Sequence, residues 1–377
     1  MGLRLRDNRG LMQALRLYAG PKARQHIEQH GLRPQDVGTV PAAAGGPKGL
    51  ILGPLDRFIF GHWLTHSIQP VHLVGASIGA WRMATACLQG TASALDRLER
   101  DYIAQHFALP PGQKRATAAQ ISGQFRSNLQ TFFSGRVSEV LLHPRYRLHV
   151  VASRGRRLLA RDGPLRTPLG YLGAFVANAV HRQALGGWLE RVVFSTSTAD
   201  GAARPDAPLP FETTDLRTRQ APLREDNFMD ALQASCSIPF MLRPVQGIAG
   251  APSGPYWDGG ITDYHLHLRY LSNPVAPLVL YPHFQQLVVP GWLDKSWKRR
   301  HRSSPALDHM LVIAPDPAWV KTLPNGKLPD RGDFTHYGQD ITSRQRVWSG
   351  ATAAAAQLAD EFAQWLERPD LSRIEAL

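Results

Sequence analysis

Twice before residue 90 an apolar run stops at a glycine-rich turn and resumes as a helix-forming segment. The first passage is "GTVPAAAGG" (38–46) running into "PKGLILGPLDRFIFGHWL" (47–64). There Ile51, Leu55, Phe58, Ile59 and His62 fall at helical spacing and Pro54 interrupts near the first turn. The second is "VHLVGAS" (71–77), a buried strand, continued by the helix "IGAWRMATACL" (78–88). Strand, turn and helix repeated in close succession leave few architectures, because parallel strands need a crossover that packs back over the sheet. The pattern predicts an α/β fold with a mainly parallel central sheet and helices on both faces. "RLHVVAS" (147–153), "RVVFSTST" (191–198), "PLVLYP" (277–282) and "HMLVIAP" (309–315) supply further strands.

Around this frame, the first 35 residues read as two short helices, with Pro21 at a first helical position and Gly31 as a C-terminal cap. The closing helix, near 339–367, places Leu358, Phe362, Trp365 and Leu366 on one face for docking on the core. "PGQKRATAAQISGQ" (111–124) and "STADGAARPDAPLP" (197–210) read as surface excursions.

Hydrophobic residues at 43% against 19% charged exclude a disordered chain, and 377 residues suffice for one large α/β domain or two ordinary ones. The two cysteines, Cys87 and Cys236, have no paired spacing, so neither a disulfide framework nor a zinc knuckle is expected and a reducing compartment fits. Asp7, Asn8, Arg9 and Arg16 break any signal-peptide core, Arg6 stands where myristoylation wants Ser or Thr, and "YLGAFVANAV" (171–180) is too short to span a bilayer. A cytoplasmic protein with at most peripheral membrane contact is expected. The net charge of +13 calls for an acidic partner. In "GWLDKSWKRRHR" (291–302), Trp292, Leu293 and Trp297 alternate with Lys295, Lys298, Arg299, Arg300 and Arg302, which suits an anionic headgroup interface, stacking on single-stranded bases, or simply a solvated loop. Nucleic-acid binding rests on charge alone, without a recognition motif, and is not expected.

The chemistry concentrates in three places. Gly75-x-Ser77-x-Gly79, between strand and helix, is the setting of a serine nucleophile on a sharp turn. "AAAGGPKGL" (42–50) is too short for a nucleotide-binding loop, but its glycines expose backbone N–H groups at a helix start. Gly45 and Gly46, with Ile78 after the serine, are candidate oxyanion donors; Pro47 has no N–H, and Lys48 adds a positive charge. In "PYWDGGITDYH" (255–265), two glycines free one side of Asp258, although Asp-Gly-Gly alone reads as a turn. His265 and His267 alternate nearby, so a metal pair or a Ser-His-Asp triad with Asp258 or Asp263 stands beside ordinary structural histidines.

Together these stretches resemble the patatin-like phospholipase family, over about residues 38–270 and in the family's order. Gly45, Gly46, Lys48 and Gly49 match its oxyanion loop, Gly75, Ser77 and Gly79 its elbow, and Asp258, Gly259 and Gly260 its Asp-Gly-Gly/Ala base. "ALQASCSIPFMLRPV" (231–245) is similar to its Ala-Ser-x-x-x-Pro segment; Ala43 and Ala44 depart from the glycines or Asp-Gly that many members carry. The resemblance implies a three-layer sandwich and a Ser77–Asp258 dyad that hydrolyses acyl esters of membrane lipids without cofactor or metal. An N-terminal helical extension over 1–37, a catalytic domain over 38–285 and a basic loop, strand and helix over 286–377 that complete the fold are expected. A free aspartate, with a pKa of ~3.9, is a poor base, so desolvation beside Tyr256 and Trp257 must raise it. A non-catalytic lipid-binding scaffold or an acyltransferase uses the same fold.

Overall fold

The two strand–turn–helix passages lie side by side in the middle of a ten-stranded sheet. The computed structural model describes residues 12–106, 113, 116–196 and 208–377. The strands are β1 (Leu15–Ala19), β2 (Val37–Ala42), β3 (Val71–Ala76), β4 (Tyr146–Gly155), β5 (Leu189–Ser195), β6 (Thr218–Pro222), β7 (Tyr256–Asp258), β8 (Leu278–Pro282), β9 (Met310–Pro315) and β10 (Ile374–Ala376). Nine of them run β10-β1-β9-β8-β2-β3-β4-β5-β6, and β7 pairs with β4. Pairing is parallel except for β1 with β9 and β4 with both β5 and β7. The central strands are buried along nearly their whole length, as expected where helices cover both faces in a three-layer sandwich.

The helices are α1 (Pro21–His30), α2 (Gly53–Gly61), α3 (Ile78–Ala86), α4 (Thr91–Ala104), α5 (Ala118–Phe133), α6 (Val137–Leu141), α7 (Arg166–Val180), α8 (Phe228–Ser235), α9 (Pro317–Val320), α10 (Gly332–Tyr337), α11 (Ile341–Ala354) and α12 (Ala356–Glu367). α3, which follows the serine turn, is held by charge as well as packing. Arg82 donates from Nε and Nη2 to the two carboxylate oxygens of Asp56 on α2, each at 2.7 Å, and both residues are buried. A bidentate pair of this kind is strongly directional, and removing one partner strands the other charge out of water. None of the helices among the described residues is long and apolar enough to cross a membrane.

Several local expectations change. Only one of the two helices read in the first 35 residues forms: α1 begins at Pro21 and is capped by Gly31 at φ +73°, but Leu15–Ala19 is a strand. Its slot between β9 and β10 supplies ladder hydrogen bonds on both edges, and tertiary pairing outweighs the helical look of the sequence. Residues 118–124 belong to α5, whose start is fixed by a capping box between Thr117 and Gln120, so that part of 111–124 is no surface excursion. Of the excursion read at 197–210, residues 197–207 lie outside the described ones. The closing helix is two, α11 and α12, and Leu358, Phe362 and Trp365 of α12 are buried as expected. Pro54 starts α2 rather than interrupting it, because the turns before it, Gly46–Leu52, are a 3-10 helix.

Candidate active site

Ser77 sits at the tip of the turn between β3 and α3 with φ +56° and ψ −129°, a conformation that costs a non-glycine residue energy and is held only where the surroundings fix it. The flanking glycines let the chains pass. A Cβ on Gly75 would lie 2.6 Å from the Ala80 nitrogen, and one on Gly79 would lie 2.5 Å from the carbonyl carbon of Ala42 in β2. The remaining support comes from α8: Ser235 Oγ accepts a hydrogen bond from the Ser77 N–H at 2.9 Å and donates to the Val151 carbonyl at 2.6 Å.

Asp258 reaches the serine through an unusual use of β4. β3 pairs with β4 as far as Ala76 opposite Val151, and on the same edge β7 takes up the next position, Asp258 opposite Ala152. The ends of β3 and β7 therefore meet. Ser77 Oγ donates to Asp258 Oδ2 at 2.7 Å, Asp258 Oδ1 accepts from the Gly260 N–H at 2.7 Å, and the Asp258 N–H donates to the Ser237 carbonyl at 2.9 Å. The small residues after Asp258 are required here: a Cβ on Gly259 would lie 2.7 Å from the Val151 carbonyl carbon, and one on Gly260 2.5 Å from the Ala44 Cβ. The segment 231–245 thus positions both groups, Ser235 behind the serine and Ser237 behind the aspartate.

Ser77 and Asp258 are 4% and 5% exposed. Burial raises the Asp258 pKa above the ordinary carboxylate range, opposed first by the Arg331 charge and then by the hydrogen bonds from Ser77 and Gly260. Ser77 opens onto a cavity of about 660 Å³ whose wall includes Gly46, Ile78, Tyr102, Phe240, Met241 and Arg331. Facing it, Gly46 adopts φ +57°, and a Cβ there would meet Arg331 Nε at 3.2 Å. Among the described residues, no hydrogen bond engages the N–H of Gly45, Gly46 or Ile78. Gly49 packs against Ile78, while the Lys48 ammonium stands 5.2 Å from the centre of the Phe284 ring. Lys295 stands over the Tyr264 ring at 4.1 Å, and desolvation together with Arg331 and Lys48 pushes its pKa down to about 8. Arg331 and Lys295 thus both place a positive charge within reach of the Asp258 carboxylate.

The two histidines that follow Asp258 in sequence go elsewhere, and His106, which lines the Ser77 cavity, bonds the Ala104 carbonyl. His265 is buried with Nδ1 between the Leu287 carbonyl and the Val289 N–H, and His267 bonds the Val288 carbonyl and the Ser304 hydroxyl. Neither reaches Ser77, and Asp263 is taken by a bidentate pair with buried Arg191. Among the described residues no group of three or more His, Cys, Asp or Glu is placed to hold a metal ion. A comparison with family models matches residues 44–268 to the patatin-like phospholipase model. The chain belongs to the patatin-like phospholipase family. That family is one of lipid acyl hydrolases, and its α/β fold is the one found here. No curated protein matches the chain. Lys295 and Arg331 lie beyond the span that matches the patatin-like model; Lys295 stands out in the sequence only as part of the basic stretch 291–302, and no motif marks Arg331. Ser235 did carry a signal, the Ala-Ser-x-x-x-Pro segment.

Proposed function

We propose that the protein is a serine lipid acyl hydrolase that cleaves acyl esters of membrane lipids through a Ser77–Asp258 dyad. The observation that carries this reading is the 2.7 Å hydrogen bond from Ser77 Oγ to Asp258 Oδ2, with no histidine among the described residues hydrogen-bonded to the serine. Asp258 takes the serine proton as Oγ attacks the ester carbonyl, and returns it to the leaving alcohol as the tetrahedral intermediate collapses. Water then attacks the acyl-enzyme, with Asp258 again the base. The N–H groups of Gly45, Gly46 and Ile78 serve the oxyanion, with no other hydrogen-bond partner among the described residues. A base whose pKa is raised by burial is better matched to neutral operation than a free carboxylate, and the steps call for no cofactor.

The direct test is a fluorophosphonate probe, which should label the protein at Ser77 and leave Ser77→Ala unlabelled; labelling that persists in the variant moves the nucleophile elsewhere. A second test uses pH. Arg331 is the strongest influence holding the Asp258 pKa down against burial. In Arg331→Gln that pKa should rise further, so kcat/KM on a soluble ester should begin to fall at a higher pH on acidification than in the parent. An acid limb that does not move would show that Arg331 does not act on the base.

A further inference from the structure

The run "YLGAFVANAV", too short to span a bilayer, is the C-terminal part of α7, and α7 is apolar on both sides. Its inner face buries Tyr171, Ala174 and Asn178. Its outer face carries Leu169, Leu172, Val176 and Val180, at i, i+3, i+7 and i+11, with Leu165 at the N-cap just before it, one stripe along a helix about 22 Å long. Leu169, Leu172 and Val176 are 55%, 59% and 54% exposed, and Leu165 and Val180 more so. An apolar stripe of this length on a soluble face marks an interaction site.

We infer that the outer face of α7, with Phe240 and Met241 at the cavity rim, docks on an anionic lipid bilayer. Proximity to the site is the first argument, because Tyr171 on the inner face of α7 touches the cavity rim. The Phe240 ring lies 5.8 Å from that of Tyr171, and Phe240 and Met241, both exposed, also line the cavity that holds Ser77. Charge is the second. Residues 156–188 carry five arginines against one acid, Asp162, and 295–302 carry Lys295, Lys298, Arg299, Arg300 and Arg302 against none. The two are joined: Phe175 stacks on Trp297 at 6.2 Å, and buried Asp294 accepts from Asn178, Arg182 and Arg300. This moves the docking surface expected at 291–302, because Trp292 and Leu293 are half-buried and pack inward. The basic stretch is the charged rim, and α7 is the apolar anchor. A second copy packed on this face would bring two basic rims together, whereas anionic headgroups complement them.

The choice of a bilayer rests on the lipid acyl hydrolase reading, so the test separates the two. Ser77→Ala protein, which leaves vesicles intact, is sedimented with vesicles of phosphatidylglycerol and phosphatidylcholine or of phosphatidylcholine alone. It should bind the anionic vesicles more tightly. Adding Leu172→Asp and Val176→Asp should weaken that binding about tenfold or more, and adding Lys298→Glu and Arg299→Glu should weaken it in a salt-dependent way. With Ser77 intact, both double variants should hydrolyse a soluble short-chain ester at the parent rate, showing that the fold is preserved. Equal vesicle binding by the Asp variant and its background, no binding by the background, or a dimer in sedimentation velocity that the Asp variant dissolves would each overturn the proposal. Failure of the parent to hydrolyse any ester, with vesicle binding intact, would defeat the hydrolase reading alone.

Discussion

Asp258→Asn is expected to lower kcat/KM on a soluble ester on the order of 10³-fold or more while raising the melting temperature at neutral pH. The activity loss follows from the dyad: Asn is nearly isosteric and keeps an oxygen for the Gly260 N–H, but its amide does not take a proton from Ser77. The stability gain follows from linkage. Burial raises the folded-state pKa of Asp258 above its unfolded value, so the folded protein binds more protons than the unfolded chain between the two. Stability then falls as pH rises through the folded pKa, and a neutral isostere escapes that loss. The difference in melting temperature between variant and parent should therefore be smallest in acid, below the ordinary carboxylate range, and grow toward neutral pH. By contrast His265→Asn and His267→Gln, whose side chains bond main chain and Ser304 rather than Ser77, should keep much of the activity. Near-parent activity in folded Asp258→Asn, with a large loss in one histidine variant, would replace the dyad with a triad.

That contrast shows where the sequence is readable. β2, β3, β8 and β9 are short apolar runs ending at glycine or proline, and the strand–turn–helix order around Ser77 follows from local signals. β7 is three residues long, and "YWDGG" by itself is a turn. Its place beside Ser77 comes from an edge of β4 shared with β3, more than 180 residues earlier in the chain, and only the family resemblance pointed to it. β1 and β10 pair with each other from opposite ends of the chain, so neither has a local reason to be a strand. Arg331 is invisible for the same cause: it caps α10 in a segment with no chemical motif and reaches Gly46 only through the fold. The α7 stripe was hidden differently. A helix apolar on both sides has no amphipathic period, so its outer leucines are indistinguishable from core residues until the packing is known.

Gly79→Ala tests how closely the nucleophile is tied to the sheet, and its expected effect on stability exceeds that of the other variants. Gly79 is the second residue of α3, where alanine ordinarily favours a helix by about 1 kcal/mol over glycine. Here the added Cβ would lie 2.5 Å from the Ala42 carbonyl carbon and 2.8 Å from the Ala43 oxygen, and nearer still to the Ala42 oxygen. These are backbone atoms of β2 and the loop before Gly45, so no side-chain rotation relieves them. Either α3 moves off the sheet, pulling against the Arg82–Asp56 pair, or the loop carrying Gly45 and Gly46 shifts. Overpacking of this kind should cost about 3 kcal/mol or more, read as a fall in melting temperature or as loss of soluble protein. Any folded remainder should be on the order of 10²-fold less active, because a displacement of about 1 Å between Ser77, Asp258 and the oxyanion donors misaligns the attack. Gly123→Ala is the matched control: it lies in α5 with nothing within 4 Å of the new Cβ, so the same substitution there should stabilise slightly and leave the rate unchanged. Parent-like stability and activity in Gly79→Ala would mean that α3 does not run against β2 this closely, and the geometry that aims Ser77 at Asp258 would need another source.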